Sequence, residues 1–470
     1  MARFLKIVVY LIGGLLFNSQ YFLLVAQKNS PPPIAALRAE ESYAFLQNKD
    51  SLNNAHSIFL EPLKWISIRK NIHLTLGGEY RARLEHFTNK SYTTEDETFY
   101  SQRLSLHASL QVGSKVRLFG EAYHGYVSNG NQLLESDEID LHQAFLEWKI
   151  INKKQTSASL RVGRQEIGYG ASRLIGIREG PNLRRSFDMA RFILKRGNAF
   201  VQVMYGKEIN INFYAFDNTS NIFDNQANNP TLWGAYWQRP LPSGAQSLDI
   251  YYFGFKSKLA QFNDIAGEEL RHSLGIRSYG KLGRFSYNSE LIYQFGTLNQ
   301  ATIAAFNLEA DWKFLLAKSG WKPTLGIKLD WSSGDQSPGD NKVQTFNPMF
   351  VNPAIYSLAA VNTPANITSF HPNVTVTPLK GLVVLVDYAL FYRTQTADGV
   401  YAPPRFLVRP ANGSVEKHVG DVIGIQVRYA LHRNITFDMR SSYFIPGRFL
   451  KASGASENTF YIAPTLSLKF

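Results

Sequence analysis

The chain reads as an all-β protein: an 18-stranded antiparallel transmembrane β-barrel with long extracellular loops and short periplasmic turns. Three observations predict it. Thr459 to Phe470 alternates strictly, with Phe460, Ile462, Leu466, Leu468 and Phe470 on one side and Tyr461, Ala463, Thr465, Ser467 and Lys469 on the other. Such a strand, left unpaired in water, invites aggregation, but it is at home as the strand that closes a cylinder. Similar alternating segments fill the chain, and the connections between them take turns at being short and long. An apolar amino-terminal run carries export features.

The elements follow in order. Met1 to Lys6 is short and positive, Ile7 to Phe17 is apolar, and Leu24-Val25-Ala26 ends on a small residue, so 1–26 reads as a signal peptide. Residues 27–71 form a lead-in segment. It has a stiff Pro31-Pro32-Pro33 piece, a helical turn or two within Leu37–Leu46, and the apolar cluster Leu60, Leu63, Trp65, Ile66 and Ile68. It is expected to pack against or into the barrel base. Residues 72–470 are the barrel.

The predicted strands start at His73–Phe87, Phe99–Val112, Val116–Val127, Ile139–Ile151 and Thr156–Ile167. After the long loop Gly168–Arg185 come Ser186–Arg196, Ala199–Lys207, Thr231–Gln238 and Ser247–Lys256. Then come Leu270–Gly280, Arg284–Gly296, Ala301–Leu315 and Trp321–Ser332, followed by the longest loop, Ser333–Ser369. The last are Phe370–Thr377, Leu382–Arg393, Lys417–Ala430, Asn434–Phe444 and Thr459–Phe470. Turn residues such as Gly113-Ser114-Lys115 and Gly197-Asn198 close the short ends. The even number returns both ends of the barrel to the periplasmic side, and a cylinder this wide leaves an aqueous bore.

Composition fits the same class. Aromatic residues make up 13% of the chain, as interfacial girdles require, and mean hydropathy is a mild −0.20 because half of each strand faces water. Cysteine is absent, which excludes disulfides, thiol nucleophiles and Cys-based metal sites. The formal net charge is +13, and loss of Arg3 and Lys6 with the signal peptide leaves about +11. A basic excess favours acidic partners. The cations are spread singly along strands rather than in a run with interleaved aromatics, so nucleic acid is not an expected partner.

A charge at the bilayer midplane costs about 2–4 kcal/mol for Arg or Lys, so charged faces turn inward. In the first strand Leu74, Leu76, Tyr80, Ala82 and Leu84 face lipid, while Glu79, Arg81, Arg83 and Glu85 face the bore. The same rule sends Arg103, Arg117, Arg161, Arg191, Lys195, Arg277, Lys328, Arg428 and Arg440 to the lumen, with Glu121, Glu147, Glu290, Glu309, Asp330, Asp387 and Asp438. Two readings stay open: pairs that hold the wall, or a partly unpaired cationic path for an anion, for which the arginine fork is suited.

The stretch Arg161 to Gly170 ends a strand and enters a loop with Arg173, Arg178, Arg184 and Arg185, returning through Phe187-Asp188-Met189-Ala190-Arg191. Glycines there let the backbone bend inward, which would bring arginines to a constriction with Asp188 orienting one of them.

Gly163-Arg164-Gln165 followed by Arg173 and Phe187-Asp188 resembles the alginate-export family of outer-membrane porins. Leu63-Lys64-Trp65-Ile66 before Gly77-Gly78-Glu79-Tyr80-Arg81-Ala82-Arg83 is similar to the family's entry strand. Gly334-Asp335 with Thr345-Phe346-Asn347-Pro348, Lys417-His418-Val419-Gly420-Asp421 and Tyr443-Phe444-Ile445-Pro446-Gly447 extend the likeness over nearly the whole mature chain. The resemblance implies a monomeric barrel with an electropositive conduit that passes a uronic-acid polymer outward. It maps the arginine-lined constriction to Arg164 and Arg440, then to Arg81, Arg191 and Arg393. Asp421-Val422-Ile423-Gly424 departs from the family, which commonly has more acidic residues there.

No Gly-x-Ser-x-Gly, Walker loop or His-Glu-x-x-His is present, so no enzyme and no cofactor is expected. Gly334-Asp335 to Asp340-Asn341 has calcium-loop residue types that are equally plain turn formers, and no metal is assigned. The expected function is an outer-membrane channel for an anionic polysaccharide or related anionic solute. The expected anion-binding residues are Arg81, Arg83, Arg103, Arg164, Arg191, Arg277, Arg393, Arg428 and Arg440, with Asp188, Glu79 and Asp438 as pairing acids. The alternative is a general or nutrient-uptake porin for small solutes; a third is a barrel-bound adhesin or enzyme. Expected surroundings are outer-membrane lipid and lipopolysaccharide.

Overall fold

Antiparallel hydrogen bonding turns the alternating segments into one continuous wall. A computed structural model describes residues 34–47, 60–130, 134–222, 228–241, 244–356, 363–403 and 405–470. The expected signal peptide, 1–26, lies outside the described residues.

A short strand, β1 (Ile66–Arg69), pairs with the base of β2 (Ile72–Thr88). The wall then runs through β3 (Glu97–Val112), β4 (Val116–Ser128), β5 (Asp137–Lys153), β6 (Thr156–Gln165) and β7 (Phe187–Arg196). It continues through β8 (Ala199–Glu208), β9 (Thr231–Pro240), β10 (Gln246–Phe262), β11 (Ile265–Leu282), β12 (Phe285–Leu298), β13 (Ala301–Leu315) and β14 (Thr324–Ser332). The two-residue β15 (Lys342–Val343) lies parallel on β13, within a long loop. The wall resumes with β16 (Ile367–Leu379) and β17 (Leu382–Arg393), and a small separate hairpin, β18 (Val400–Ala402) and β19 (Phe406–Arg409), sits in the next loop. β20 (His418–Ala430), β21 (Ile435–Pro446) and β22 (Thr459–Lys469) complete it. β22 pairs with β2 from Glu79↔Lys469 to Thr88↔Phe460, which closes an 18-stranded barrel.

Every predicted strand is present. The main difference lies in residues 257–269, expected as a loop. They carry β10 and β11 on to a tight turn at Asn263-Asp264, with Asn263 at φ 48°. Lys256 and Lys258 gave that stretch a loop-like polarity, but above the bilayer a strand meets water on its outer face and tolerates charge there. β6 to β9, by contrast, are only 10 residues each, so their long connections leave the wall early.

The outer face is a band of exposed apolar side chains, such as Leu106, Leu118, Leu146, Val162, Leu274 and Val386, with Tyr205, Trp148, Trp312 and Trp331 among its aromatics. The core lies inside the cylinder. Ile167, Tyr169, Leu174 and Ile175 of the 166–186 loop pack on Phe187, Met204, Tyr236, Tyr251, Phe253 and Phe255 of the wall and on Phe346, Met349 and Phe350 of the 333–366 loop. The bore is therefore not uniformly watery, as its width alone had suggested: two loops that curl inward fill it along β7–β13 with a packed cluster.

Candidate functional site: the bore and its arginines

The 166–186 loop spans the lumen. At one end, Arg81 Nη1 and Nη2 donate to the Glu179 carbonyl (2.9 Å) and to Asn182 Oδ1 (2.8 Å). Arg83 donates to the Gly180 carbonyl at 2.5 Å and also pairs with Glu85 and the Tyr461 hydroxyl. Arg103, fully buried, donates to Glu79 Oε1 (2.6 Å), Glu179 Oε1 (2.9 Å) and the Asn182 carbonyl (3.1 Å). At the other end, Arg173 pairs with Glu309 and lies 4.0 Å from Glu290, and Glu309 accepts from Tyr356 of the 333–366 loop. Three of the expected anion binders thus hold the loop. Salt bridges this deeply buried satisfy each other's charge and leave little for a passing solute.

A second segment enters from below. Arg38, buried on residues 34–47, donates to the Gly78 carbonyl (2.9 Å), to the Phe470 backbone oxygen (2.6 Å) and to Glu41 (2.9 Å). Glu40 accepts from Arg161 (2.8 Å) and Arg191 (3.2 Å), while the Ala36 carbonyl accepts from Arg184 of the inward loop (3.0 Å). Burial would raise the Glu40 carboxyl, but Arg161, Arg191 and Arg117 outweigh it and hold it down at about 2. Lys64, beside Tyr43 and Phe470, donates to the Leu76 carbonyl at 2.7 Å, and burial pulls it down to about 8. Part of the lead-in thus packs inside the barrel, and it occupies Arg191. Sequence reasoning missed Glu40 as the partner of two luminal arginines; the only signal was Arg38-Ala39-Glu40-Glu41 in an otherwise weakly charged stretch.

The other named residues separate. Arg277 is paired with Asp249 (2.8 Å) and Asn288 (2.8 Å) and stacks over Tyr279. Arg393 points inward but is consumed by the carbonyls of Thr396, Asp398, Ser414 and Glu416 and by the Phe449 ring, so it organises an extracellular loop. Arg164 differs most from expectation. It stands opposite Ala144 and Asp188, on the same side of β6 as Val162, which is 47% exposed to the outside; Arg161 and Arg191 are on the other side. Arg164 pairs with Asp188 (3.1 Å) and Asp140 (3.4 Å) and donates to the Asn218 carbonyl of the loop that folds over the outer rim. Asp188 does orient an arginine, but on the outer face.

Two arginines remain in luminal water. Arg428 faces the bore on β20 with its side chain exposed and has no hydrogen-bond or ion-pair partner among the described residues. Its register partner across β21 is Asp438, which binds Arg440 (3.1 Å) and Gln426 (2.8 Å). Arg440 keeps 28% of its side chain exposed. Lys313 of β13, paired with Asp311, and Lys328 of β14 also lie on the luminal faces of their strands.

The model of the alginate-export family matches residues 72–463. The chain belongs to the alginate-export family. It is a bacterial outer-membrane β-barrel of the channel-forming kind. The alginate-export chain is similar in fold to OccK2 (OpdF) of Pseudomonas aeruginosa, solved in complex with glucuronate, at 12% identity and a TM-score of 0.54, over 84% of this chain and 96% of that one. OpdO of the same organism aligns at 13% identity and TM-score 0.56, over 84% and 97%. OccAB1 of Acinetobacter baumannii aligns at 12% identity and TM-score 0.53, over 87% and 99%. Likeness at this identity concerns the fold alone. No protein of curated function matches the alginate-export chain.

Proposed function

We propose that the chain is a monomeric outer-membrane channel for a uronate-bearing saccharide, with Arg428 and Arg440 as the cations that the solute meets. The observation that carries this reading is that Arg428 is exposed and unpaired among the described residues and that Arg440, though paired with Asp438, keeps 28% of its side chain exposed, while the other arginines named above are more deeply absorbed by loops, acids or the amino-terminal segment. A planar guanidinium left in water matches a carboxylate in bidentate fashion. Membership of the alginate-export family and the glucuronate held by OccK2 support a uronate as the carboxylate in question. Removal of residues 1–26 as a signal peptide, and lipid and lipopolysaccharide around the apolar outer band, belong to the same reading.

A second reading is uptake of small solutes. The inward loop and residues 34–47 take up room that a polymer needs, which favours a small cargo unless that segment moves aside. Reversal potentials in planar bilayers, with and without oligouronates, separate the two. Anion preference with block by oligouronates of increasing length supports the polymer; free passage of neutral sugars with weak selectivity supports the small solute.

A further inference from the structure

We propose a divalent-metal site where the inward loop leaves the wall, formed by Glu121 of β4, His142 of β5 and Glu166, the first residue after β6. One ligand atom from each lies within 4.8 Å of the other two, and all three residues are buried. The local fold directs them. A β-bulge between Glu121 and Ala122 of β4 and the facing strand turns His142 and Gln143 to the same, luminal side.

The surrounding groups fix each ligand as metal sites require. Gln143 donates to Glu121 Oε2 at 2.6 Å and accepts from the Glu166 amide at 3.1 Å. His142 stacks on Tyr123 with ring centroids 4.0 Å apart, and its Nε2 lies 2.9 Å from Glu166 Oε1. Arg184 donates to the other oxygen, Glu166 Oε2, at 3.5 Å. The Gln143 and Arg184 contacts fall on Glu121 Oε2 and Glu166 Oε2, whereas the short contact between His142 Nε2 and Glu166 Oε1 joins two ligand atoms that an ion would enter between.

A separate observation points to a ligand. Among the described residues Glu121 Oε1 has no hydrogen-bond partner, although the residue is 1% exposed. His107, 5% exposed and stacked on Phe119, aims an equally unpartnered Nδ1 at it from 4.0 Å. Two ligands of a tetrahedral zinc ion stand about 3.4 Å apart, each about 2.0–2.2 Å from the metal, so a small rotation brings imidazole and carboxylate to one ion. Mixed imidazole and carboxylate donors suit zinc or a neighbouring first-row divalent ion. Bound there, the ion ties the first residue of the inward loop to two wall strands.

The test uses the full-length barrel in detergent, stripped with chelator and titrated with zinc by calorimetry, then with cobalt for its visible absorption. One equivalent is expected, with imidazole-type cobalt bands. Glu121→Gln, which preserves shape, and His142→Gln should each weaken affinity at least tenfold while the barrel keeps its heat-modifiable gel migration. Absence of stoichiometric binding to the folded wild type overturns the site. So does binding that survives in both folded variants. A variant that fails to migrate as folded is replaced by Glu166→Gln, for which unaltered zinc affinity and cobalt bands also count against the site.

Discussion

Arg38 Nη2 donates to the backbone oxygen of Phe470 at 2.6 Å, so the first well-packed segment of the described chain docks on the last residue, at the seam where the barrel closes. The same guanidinium reaches the Gly78 carbonyl, whose amide itself donates to Phe470. Removing it strips buried acceptors of a charged donor, a loss of about 1.5–3 kcal/mol per such bond. Arg38→Ala is expected to loosen the segment and raise single-channel conductance toward that of a barrel lacking residues 34–47. Bilayer recordings check this; equal conductance in all three proteins would show that the segment does not narrow the path.

Docking also depends on pH through Glu40. Its carboxyl sits at about 2 against an ordinary 4.5, so its contribution is complete above 4.5 and is lost as pH falls from there toward 2. The side chain is 41% exposed and thus partly screened, which keeps the effect modest. Conductance is expected to rise across that acidic window in the wild type, and Glu40→Gln should remove the step and start from the higher level.

The arginines divide into structural and functional sets with different costs. Arg103→Ala leaves Glu79, which is 2% exposed, with only Lys469 at 3.5 Å among the described residues, and is expected to destabilise the barrel by about 3 kcal/mol. Arg440→Ala breaks a pair whose side chains are 28% and 16% exposed, and should cost about 1 kcal/mol, well below Arg103→Ala. Urea unfolding in lipid vesicles measures both; equal costs would contradict the division.

Charge reversal separates inner from outer wall. Arg428→Glu and Arg440→Glu are expected to lower anion preference, whereas Arg164→Glu should leave it unchanged and instead loosen the 209–222 rim loop that its guanidinium holds. A shift in selectivity from Arg164→Glu alone would place that residue in the conduction path.

The wall was legible because period two and turn residues are local signals, and each of the 18 wall strands overlaps the segment these signals marked. Parity also carried more than was read from it. Arg161 and Arg164 are three residues apart, as are Asp188 and Arg191, and an odd offset along a regular strand sends side chains to opposite faces. What no local pattern discloses is which luminal charges are consumed. Arg81 and Arg103 face inward as expected, yet their partners Glu179 and Asn182 come from a loop about 80 to 100 residues further along. Glu40 likewise meets Arg161 and Arg191 only through tertiary folding. The lysines of residues 256–258 concealed strand continuation because rim strands lose the lipid constraint.

The central claim is that guanidinium groups left in luminal water select a carboxylate-bearing solute. Reversal potentials of the purified barrel under a potassium chloride gradient test it most directly. The account predicts anion preference that falls in the Arg428→Glu, Arg440→Glu double variant, together with loss of block by oligouronates. Cation preference in the wild type, or a selectivity indifferent to that double reversal, would contradict it.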